Sequence, residues 1–301
     1  MSQDPRSPQL YRRSKRPSAR PPSSAMASRP EDETKPAIRK ITSLANDLIK
    51  DMRGLQSKKE RAETGLFLAE GLKLVTDAFE SGWRVTTLAY CDRVGQQSMV
   101  SQAVATALQR GTDVVEVSEA VLEKISRRDN PQMVVSVIAQ QYADLAPEAI
   151  KGTWVALEGI KDPGNLGTII RTVDSVGASG VILIDETTDP FAIEAVRATM
   201  GSLFHVPLVR MSRDAFARFN HAARVPVYAT HLKGAVDYRS VNYPEPAILL
   251  MGNEQSGLND AFVALATTVI KIPMAGQADS LNLAIATAVT LYEMRRSRLT
   301  L

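Results

Sequence analysis

Six short apolar runs in the second half of the chain constrain its fold more than any other feature. They are Trp154–Leu157, Val181–Ile184, Pro207–Val209, Val227–Thr230, Ala247–Met251 and Val269–Ile272. Several are continuous, with no polar alternation, and such a strand must be covered on both faces, as a parallel strand inside an α/β sheet is. Helical patterns separate the runs, at about 165–176, 190–202, 213–223, 259–266 and 281–297. The alternation predicts an α/β domain with a largely parallel sheet over residues 150–301.

Ligands of such sheets bind outside the carboxyl ends of the strands, so the loops at those ends are the candidates for chemistry. Three have unusual compositions. The first is Asp162-Pro163-Gly164-Asn165-Leu166-Gly167-Thr168-Ile169-Ile170-Arg171. Pro163-Gly164 makes a turn, Asn165 is a candidate helix cap, and Ile169, Ile170 and Val173 supply a buried side. Arg171 stands six residues beyond Asn165, roughly 120° around the helix axis. An arginine early in a helix opposes the dipole, which points to an anionic partner.

The second loop is Gly252-Asn253-Glu254-Gln255-Ser256-Gly257-Leu258. It lacks the Lys-Ser/Thr of a phosphate loop, and Glu254 in its middle would repel phosphate. It suits a cation or a hydroxyl-rich ligand better. The third runs from Ile272 through Pro273, Met274 and a small-residue stretch to Ser280-Leu281-Asn282, where a long apolar helix opens. Asp279 or Ser280 is the expected cap, and Arg295, Arg296 and Arg298 suit the negative end of the dipole. Leu281, Ile285, Ala288, Val289 and Tyr292 recur at helical spacing and predict a buried face. Asn282 does not fit that face; it bonds either a neighbouring backbone group or a ligand.

The first half reads as a smaller α/β unit over residues 37–141. Leu44, Leu48, Met52 and Leu55 predict an amphipathic helix with a basic end at Lys58, Lys59 and Arg61, followed by alternating strands and helices to Ala139. Lys58, Lys59, Arg61, Arg127 and Arg128 are candidate phosphate grips in loops. Residues 141–150 read as a short linker. Residues 1–36 are rich in Pro, Ser and Arg with no apolar face to bury, and are expected to be a disordered basic tail. Residues 1–30 carry seven Arg/Lys against one Asp, a net +6, whereas the whole chain is +3, so the remainder is net −3. Nucleic-acid binding by the folded part must therefore come from local patches.

A single cysteine, Cys91, excludes an intrachain disulfide, and a reducing compartment is expected. Three histidines and no Cys/His cluster give no reason to expect a metal. No apolar run approaches the roughly 20 residues of a membrane span. A cytoplasmic location is expected. The Arg/Ser-rich tail makes a mitochondrial presequence the alternative, although its prolines oppose the amphipathic helix this needs. Met26 is a second candidate start.

Taken together and in order, Asn-x5-Arg, Gly-Asn-Glu-x-x-Gly-Leu and Ile-Pro-Met-x-Gly-x3-Ser-Leu-Asn resemble the three signature motifs of the SpoU (TrmH) family of RNA 2′-O-ribose methyltransferases. The resemblance is dense over 154–297. The segment Ile41 to Ala139 also resembles the substrate-binding domain that many members carry. The resemblance implies a trefoil-knotted α/β domain, S-adenosylmethionine as cofactor, and a homodimer acting on RNA, with ribosomal RNA favoured over transfer RNA. Carried over by position, Gly252, Ile272 and Leu281 surround the cofactor with Asn253, and Met251 and Met274 flank its adenine. Asn165, Arg171, Glu254, Ser280 and Asn282 match the family's catalytic positions. Gln255 stands where glycine is common, which costs stability if that position needs φ > 0.

The resemblance implies that Arg171 binds a substrate phosphate and takes part in deprotonation; our reading is that it positions the phosphate and the ribose hydroxyl. Asn165 orients Arg171 or the hydroxyl, and Glu254 and Asn282 hold the geometry. The guanidinium's pKa above 12 argues against a free arginine base, leaving a phosphate oxygen or water as proton acceptor. The rival readings are a transfer RNA 2′-O-methyltransferase and a non-catalytic RNA-binding assembly factor. A Rossmann dehydrogenase is disfavoured because no G-x-G-x-x-G follows Trp154–Leu157.

Overall fold

The computed structural model describes residues 38–126, 130–231 and 236–300. The tail expectation for residues 1–36, and Arg127 and Arg128, lie outside the described residues. The first unit runs β1 (Arg39–Ile41), α1 (Asp47–Gly54), α2 (Lys58–Thr64), β2 (Leu66–Glu70), α3 (Leu72–Glu80), β3 (Val85–Cys91), α4 (Ser98–Gln109), β4 (Asp113–Val117), α5 (Glu119–Ser126) and β5 (Val134–Ala139). Its five strands are ordered β1-β4-β3-β5-β2. β1, β4 and β3 are parallel, and β5 is antiparallel to both β3 and β2.

The expected first helix with a basic end is two helices. Ser57 ends the run by accepting a hydrogen bond from Lys59 N at 3.2 Å, and so caps a separate α2. Lys58 and Lys59 therefore sit in a first helical turn, exposed, and not in a loop. Leu44 lies before the helix and is exposed. The three-residue β1 was missed because it is too short to carry a period.

The second unit runs β6 (Thr153–Glu158), α6 (Pro163–Ser175), β7 (Gly180–Ile184), α7 (Ile193–Thr199), β8 (Leu208–Met211), α8 (Arg213–Ala223), β9 (Val227–Thr230), β10 (Val236–Asp237), β11 (Ala247–Met251), α9 (Asp260–Val263), β12 (Thr268–Lys271) and α10 (Leu283–Arg295). Seven strands form one sheet, ordered β10-β12-β9-β11-β6-β7-β8, with every pairing parallel. The six apolar runs are all strands of it. Val155, Leu157, Val181, Leu183 and Leu249 face the core beneath α6, α7 and α10, whereas Ala156, Ile182, Ile184, Ile248 and Leu250 face Phe216 of α8 and Phe262 of α9. Burial on both faces is what removed the period-2 signal.

The expected buried face of α10 is wrong by about a third of a turn. Its core side is Leu283, Ala284, Thr287, Leu291 and Met294, while Ile285 and Tyr292 are 50% and 49% exposed and Leu281 is also exposed. The helix is apolar nearly all round, so spacing alone does not choose a side. Its far end is tied to α6: Arg295 donates through Nε to Val176 O at 3.1 Å and through Nη2 to Gly177 O at 3.0 Å.

The two units share one continuous hydrophobic core. Phe67 of β2 packs on Phe191, with centroids 4.8 Å apart; Trp83 meets Phe204 edge-on at 5.2 Å. Tyr142, in the expected linker, packs edge-on against Phe191 at 5.3 Å, and Ala143 N donates to Leu208 O at 2.8 Å. The connection is part of the seam. Among the described residues, two ion pairs cross it. Arg197 of α7 meets Glu70 of β2 at 2.6 Å, and Arg61 of α2 meets Asp189 at 2.7 Å. The second pair corrects the reading of Arg61 as a phosphate grip, because its side chain is only 5% exposed.

α6 and α7 approach closest at Gly167, where an added Cβ would lie 2.4 Å from Ala195 O and 2.6 Å from Ala198 Cβ. Overpacking of this kind costs about 1–3 kcal/mol. Gly167→Val should lower the unfolding free energy by at least about 2 kcal/mol, read as a fall in the urea midpoint at unchanged slope.

Candidate active site

The order in which the chain adds strands to the parallel sheet reverses at β6. The chain passes from β6 to β7 and β8 on one side, while β11 lies on the other. Such a switch point opens a crevice at the carboxyl ends of the two central strands. The loop after β6 leads into α6, and the 252–258 loop follows β11, so the two meet there. The third segment leaves β12, which is separated from β6 by β9 and β11. It crosses back over those strand ends to reach α6.

Where the three segments meet, their polar side chains form one chain of hydrogen bonds. Asn282 is the N-cap of α10, in place of the expected Asp279 or Ser280. Its Oδ1 accepts from Ala284 N at 2.9 Å and Ile285 N at 3.3 Å. That leaves its Nδ2 to donate to Asn165 Oδ1 at 3.0 Å. With its oxygen so engaged, Asn165 turns Nδ2 to Glu254 Oε1, at 3.1 Å. The cap thus dictates the orientation of both amides. Asn165 itself is not the cap of α6: Asp162 accepts from Asn165 N at 2.6 Å, with Pro163 behind it.

Glu254 also accepts from the backbone N–H of Lys161 and of Asp162, both at 3.3 Å. Desolvation alone would raise its pKa, but the Asn165 amide and the backbone donors outweigh it and hold the carboxyl below its ordinary value. The group is ionised at neutral pH and its oxygens are occupied by donors, so it organises the site and is a poor proton acceptor.

Glu254 and Asn282 of this network, though not Asn165, line a cavity of about 630 Å³, within the roughly 300–1,000 Å³ typical of small-molecule sites. Met251, Gly252, Asn253, Glu254, Ile272, Met274, Ser280, Leu281 and Asn282 line it, all expected from the sequence. Asn253 turns its Oδ1 into its own loop, accepting from Gln255 N and Ser256 N at 2.8 Å each. Gln255 is absent from the positive-φ residues, so it carries no glycine-type strain; Gly257 takes that conformation, at φ 63°. At Gly252 a Cβ would lie 2.2 Å from Gly257 C and 2.3 Å from Leu258 N. The glycine is required by the loop's own backbone before any ligand is considered.

Thr230, His231, Lys271 and Ala286 also line the cavity and were not expected. Thr230 and Lys271 end β9 and β12, so the strand-end rule contained a signal for them. Arg171 is not in the lining. It is exposed on α6, and its guanidinium has no hydrogen bond or ion pair among the described residues. Among the described residues no group of three or more His, Cys, Asp or Glu is placed to hold a metal.

A family model described as the SpoU rRNA Methylase family matches residues 152–292, and one for an MRM3-like substrate binding domain matches residues 46–136. A 23S rRNA (guanosine(2553)-2′-O)-methyltransferase of Bacillus subtilis is 32% identical over 258 residues, covering 86% of this chain and 100% of its own. The chain belongs to the SpoU rRNA methylase family. A crystal structure of an AdoMet-bound rRNA methyltransferase from Sinorhizobium meliloti aligns with TM-score 0.82 and 51% identity, over 87% of this chain and 99% of that one. A tRNA (guanosine(18)-2′-O)-methyltransferase of Escherichia coli is 36% identical over 166 residues, 55% of this chain and 69% of its own.

Two predictions test the network. Asn282→Ala loses the cap and should cost about 1 kcal/mol, whereas Asn282→Asp keeps an acceptor for the α10 amides and should stay near wild-type stability. Both lose the donor to Asn165, so the Asn165 side-chain amide resonances should shift in both; shifts in neither would contradict the assigned orientations. The depressed Glu254 pKa stabilises the folded chain above the ordinary carboxylate value of 4.5, and this contribution is lost as pH falls through the lower folded-state value. Glu254→Gln should therefore flatten the stability profile below about pH 4.5 and leave its alkaline limb unchanged, as chemical denaturation across pH would record.

Proposed function

We propose that the protein transfers the methyl group of S-adenosylmethionine to a ribose 2′-hydroxyl of ribosomal RNA. The observation that carries this is the Asn282–Asn165–Glu254 hydrogen-bond chain beside the cavity at the β6/β11 switch point, in a chain of the SpoU family. Ribosomal RNA is favoured over transfer RNA because the relative named for 23S rRNA matches along its whole length, first unit included. The relative named for tRNA covers only 55% of this chain.

The cavity fits the cofactor. Its volume suits a nucleoside-sized ligand, Met251, Ile272, Met274 and Leu281 offer apolar contact to an adenine, and the Gly252 loop brings backbone to its wall. When bound, S-adenosylmethionine supplies an electrophilic methyl group on a sulfonium. The protein's share is to place the hydroxyl about 3 Å from that carbon, in line, and to let its proton leave. Asn165 has one Nδ2 hydrogen and one Oδ1 lone pair beyond the bonds it makes to Glu254 and Asn282, which suits it to orient a hydroxyl. Glu254 and Asn282 hold that amide, and Ser280 lies beside them. Arg171, exposed and without an ion pair among the described residues, holds the substrate phosphate through its planar fork. A phosphate oxygen or water takes the proton. Lys58 and Lys59, exposed on α2, add phosphate contacts.

We further propose a homodimer in which a second copy covers Leu281, just before α10, and Ile285 and Tyr292 of the helix itself. Leu281 lines the cavity, and Ile285 and Tyr292 are exposed along α10. The return of the chain from β12 across β9 and β11 to α6 supports a knotted C-terminal segment, as the family resemblance implies.

Methyl transfer under single-turnover conditions, enzyme saturating over 23S or transfer RNA, tests the main reading, with ribose methylation mapped in the product. No transfer to either RNA would refute it. Arg171→Lys keeps the charge and loses the fork, so cofactor affinity should stay near normal. The transfer rate should fall at least about 100-fold, on the order of 3 kcal/mol of transition-state stabilisation. A near wild-type rate would remove Arg171 from the chemistry. Ile285→Asp with Tyr292→Asp should convert a dimer to a monomer in sedimentation analysis; an unchanged sedimentation coefficient would place the interface elsewhere.

A further inference from the structure

The Arg61–Asp189 pair joins α2 to the loop after β7, on the same sheet edge as the site. Arg61 spends three donations there: Nε to Asp189 Oδ2 at 2.7 Å, and Nη1 to Leu55 O at 2.9 Å and Gln56 O at 3.0 Å. The Arg61 side chain is buried, 5% exposed, and that of Asp189 is largely so, at 12%. Asp189 uses its other oxygen to accept from Phe191 N at 2.9 Å, so the carboxylate is committed on both sides. Next to it, Thr188 N donates to Ile160 O at 2.7 Å. Ile160 precedes Lys161, whose N–H reaches Glu254. Fixed hydrogen bonds and two adjacent peptide units therefore span from α2 to the Glu254 carboxylate. On the other side of Arg61, one helical turn back, stand the exposed Lys58 and Lys59.

Stability alone is a weak reason for this arrangement. The aromatic seam of Phe67, Trp83, Phe191 and Phe204 already holds the two units together. Replacing a buried ion pair by apolar side chains is often neutral or stabilising. A directional pair differs from an apolar contact in fixing one relative placement, whereas apolar surfaces tolerate sliding.

We propose that Arg61–Asp189 is a specificity-determining strut. It holds α2 at a set distance from the acceptor site, so that RNA gripped by the first unit presents one ribose to Asn165. This rests on the reading of the chain as an RNA methyltransferase whose first unit holds the RNA. Arg61 and Asp189 are positioning residues; they touch neither RNA nor methyl donor. The second crossing pair, Arg197–Glu70, anchors α7 to β2 and does not involve α2.

The test uses the full chain. Asp189→Asn keeps an oxygen for Phe191 N and removes the charge. The double variant Arg61→Gln, Asp189→Asn removes both charges and leaves no uncompensated buried ion, so it decides the matter if the single variant does not fold. Arg61→Lys restores a cation opposite Asp189 without the full fork. S-adenosylmethionine affinity is measured by calorimetry, single-turnover transfer is followed against ribosomal RNA concentration, and methylated riboses are mapped at nucleotide resolution. In the double variant the expected result is cofactor affinity within about 2-fold of wild type and a maximal rate within about 3-fold. The half-saturating RNA concentration should rise at least about 10-fold, with methylation spreading to neighbouring riboses. Arg61→Lys should recover most of the single-site product. A folded double variant that methylates the same ribose with wild-type RNA dependence would overturn the proposal. So would a loss confined to maximal rate or to cofactor affinity, which would place the pair in support of the site itself. Wild-type protein that transfers no methyl group to any RNA would instead sink the functional reading, and the strut with it.

Discussion

One primary amide, that of Asn282, governs the geometry of the site. Its oxygen must satisfy the orphan N–H groups at the start of α10, because an uncapped helix end facing a cavity leaves donors without partners. Once the oxygen is committed, the nitrogen can only donate, and Asn165 can only accept through its oxygen and donate through its nitrogen. Glu254, ionised and acceptor-only, completes the sequence. Three loops from three strands are thereby locked to one polarity, with no alternative arrangement of the amides that leaves every group satisfied.

That lock depends on the sheet beneath it. The crevice exists because β6 and β11 are neighbours whose connections leave in opposite directions. It is closed because the chain returns from β12 over two intervening strand ends. Gly252 permits the tight loop after β11, and Gly167 lets α6 lie against α7. The first unit adds a second rigid body on the same edge, joined by aromatic packing that supplies affinity and by ion pairs that supply register. The segment between the units, with Tyr142 edge-on against Phe191, transmits that register.

Much of this was legible in the residues. Continuous apolar strands announced a parallel sheet, and the loops at their carboxyl ends announced the site. Asn282 and Arg171 stood out locally, as a polar residue off an apolar helix face and a cation at a helix start, and the full set with Asn165, Glu254 and Ser280 came from the resemblance of the motifs to the SpoU family. What misled was local reasoning about groups with two possible environments. Arg61 resembles Lys58 and Lys59 in sequence, yet a guanidinium can be buried when a carboxylate and carbonyls meet its fork, and Asp189 lies far along the chain. Ile285 and Tyr292 have the spacing of a core face, but α10 is apolar on more than one side, and only its packing on α6 chooses between them. The cap of α10 fell two or three residues later than expected because Asp279, Ser280 and Asn282 are all competent caps.

The sequence by itself determined the fold class, the strand and helix order, the three loops that build the site, and the family to which they belong. The first three follow from short-range chemistry, in burial pattern, turn residues and loop composition, and the family from the resemblance of the three motifs. Tertiary structure alone decided which arginine is buried and which is exposed, which face of α10 stays uncovered, how the Asn282 and Asn165 amides are turned, and how the two units are set. Each of those depends on a partner brought close from distant sequence, and a hydrogen bond or ion pair acts only over a few ångströms, a separation that position along the chain does not record.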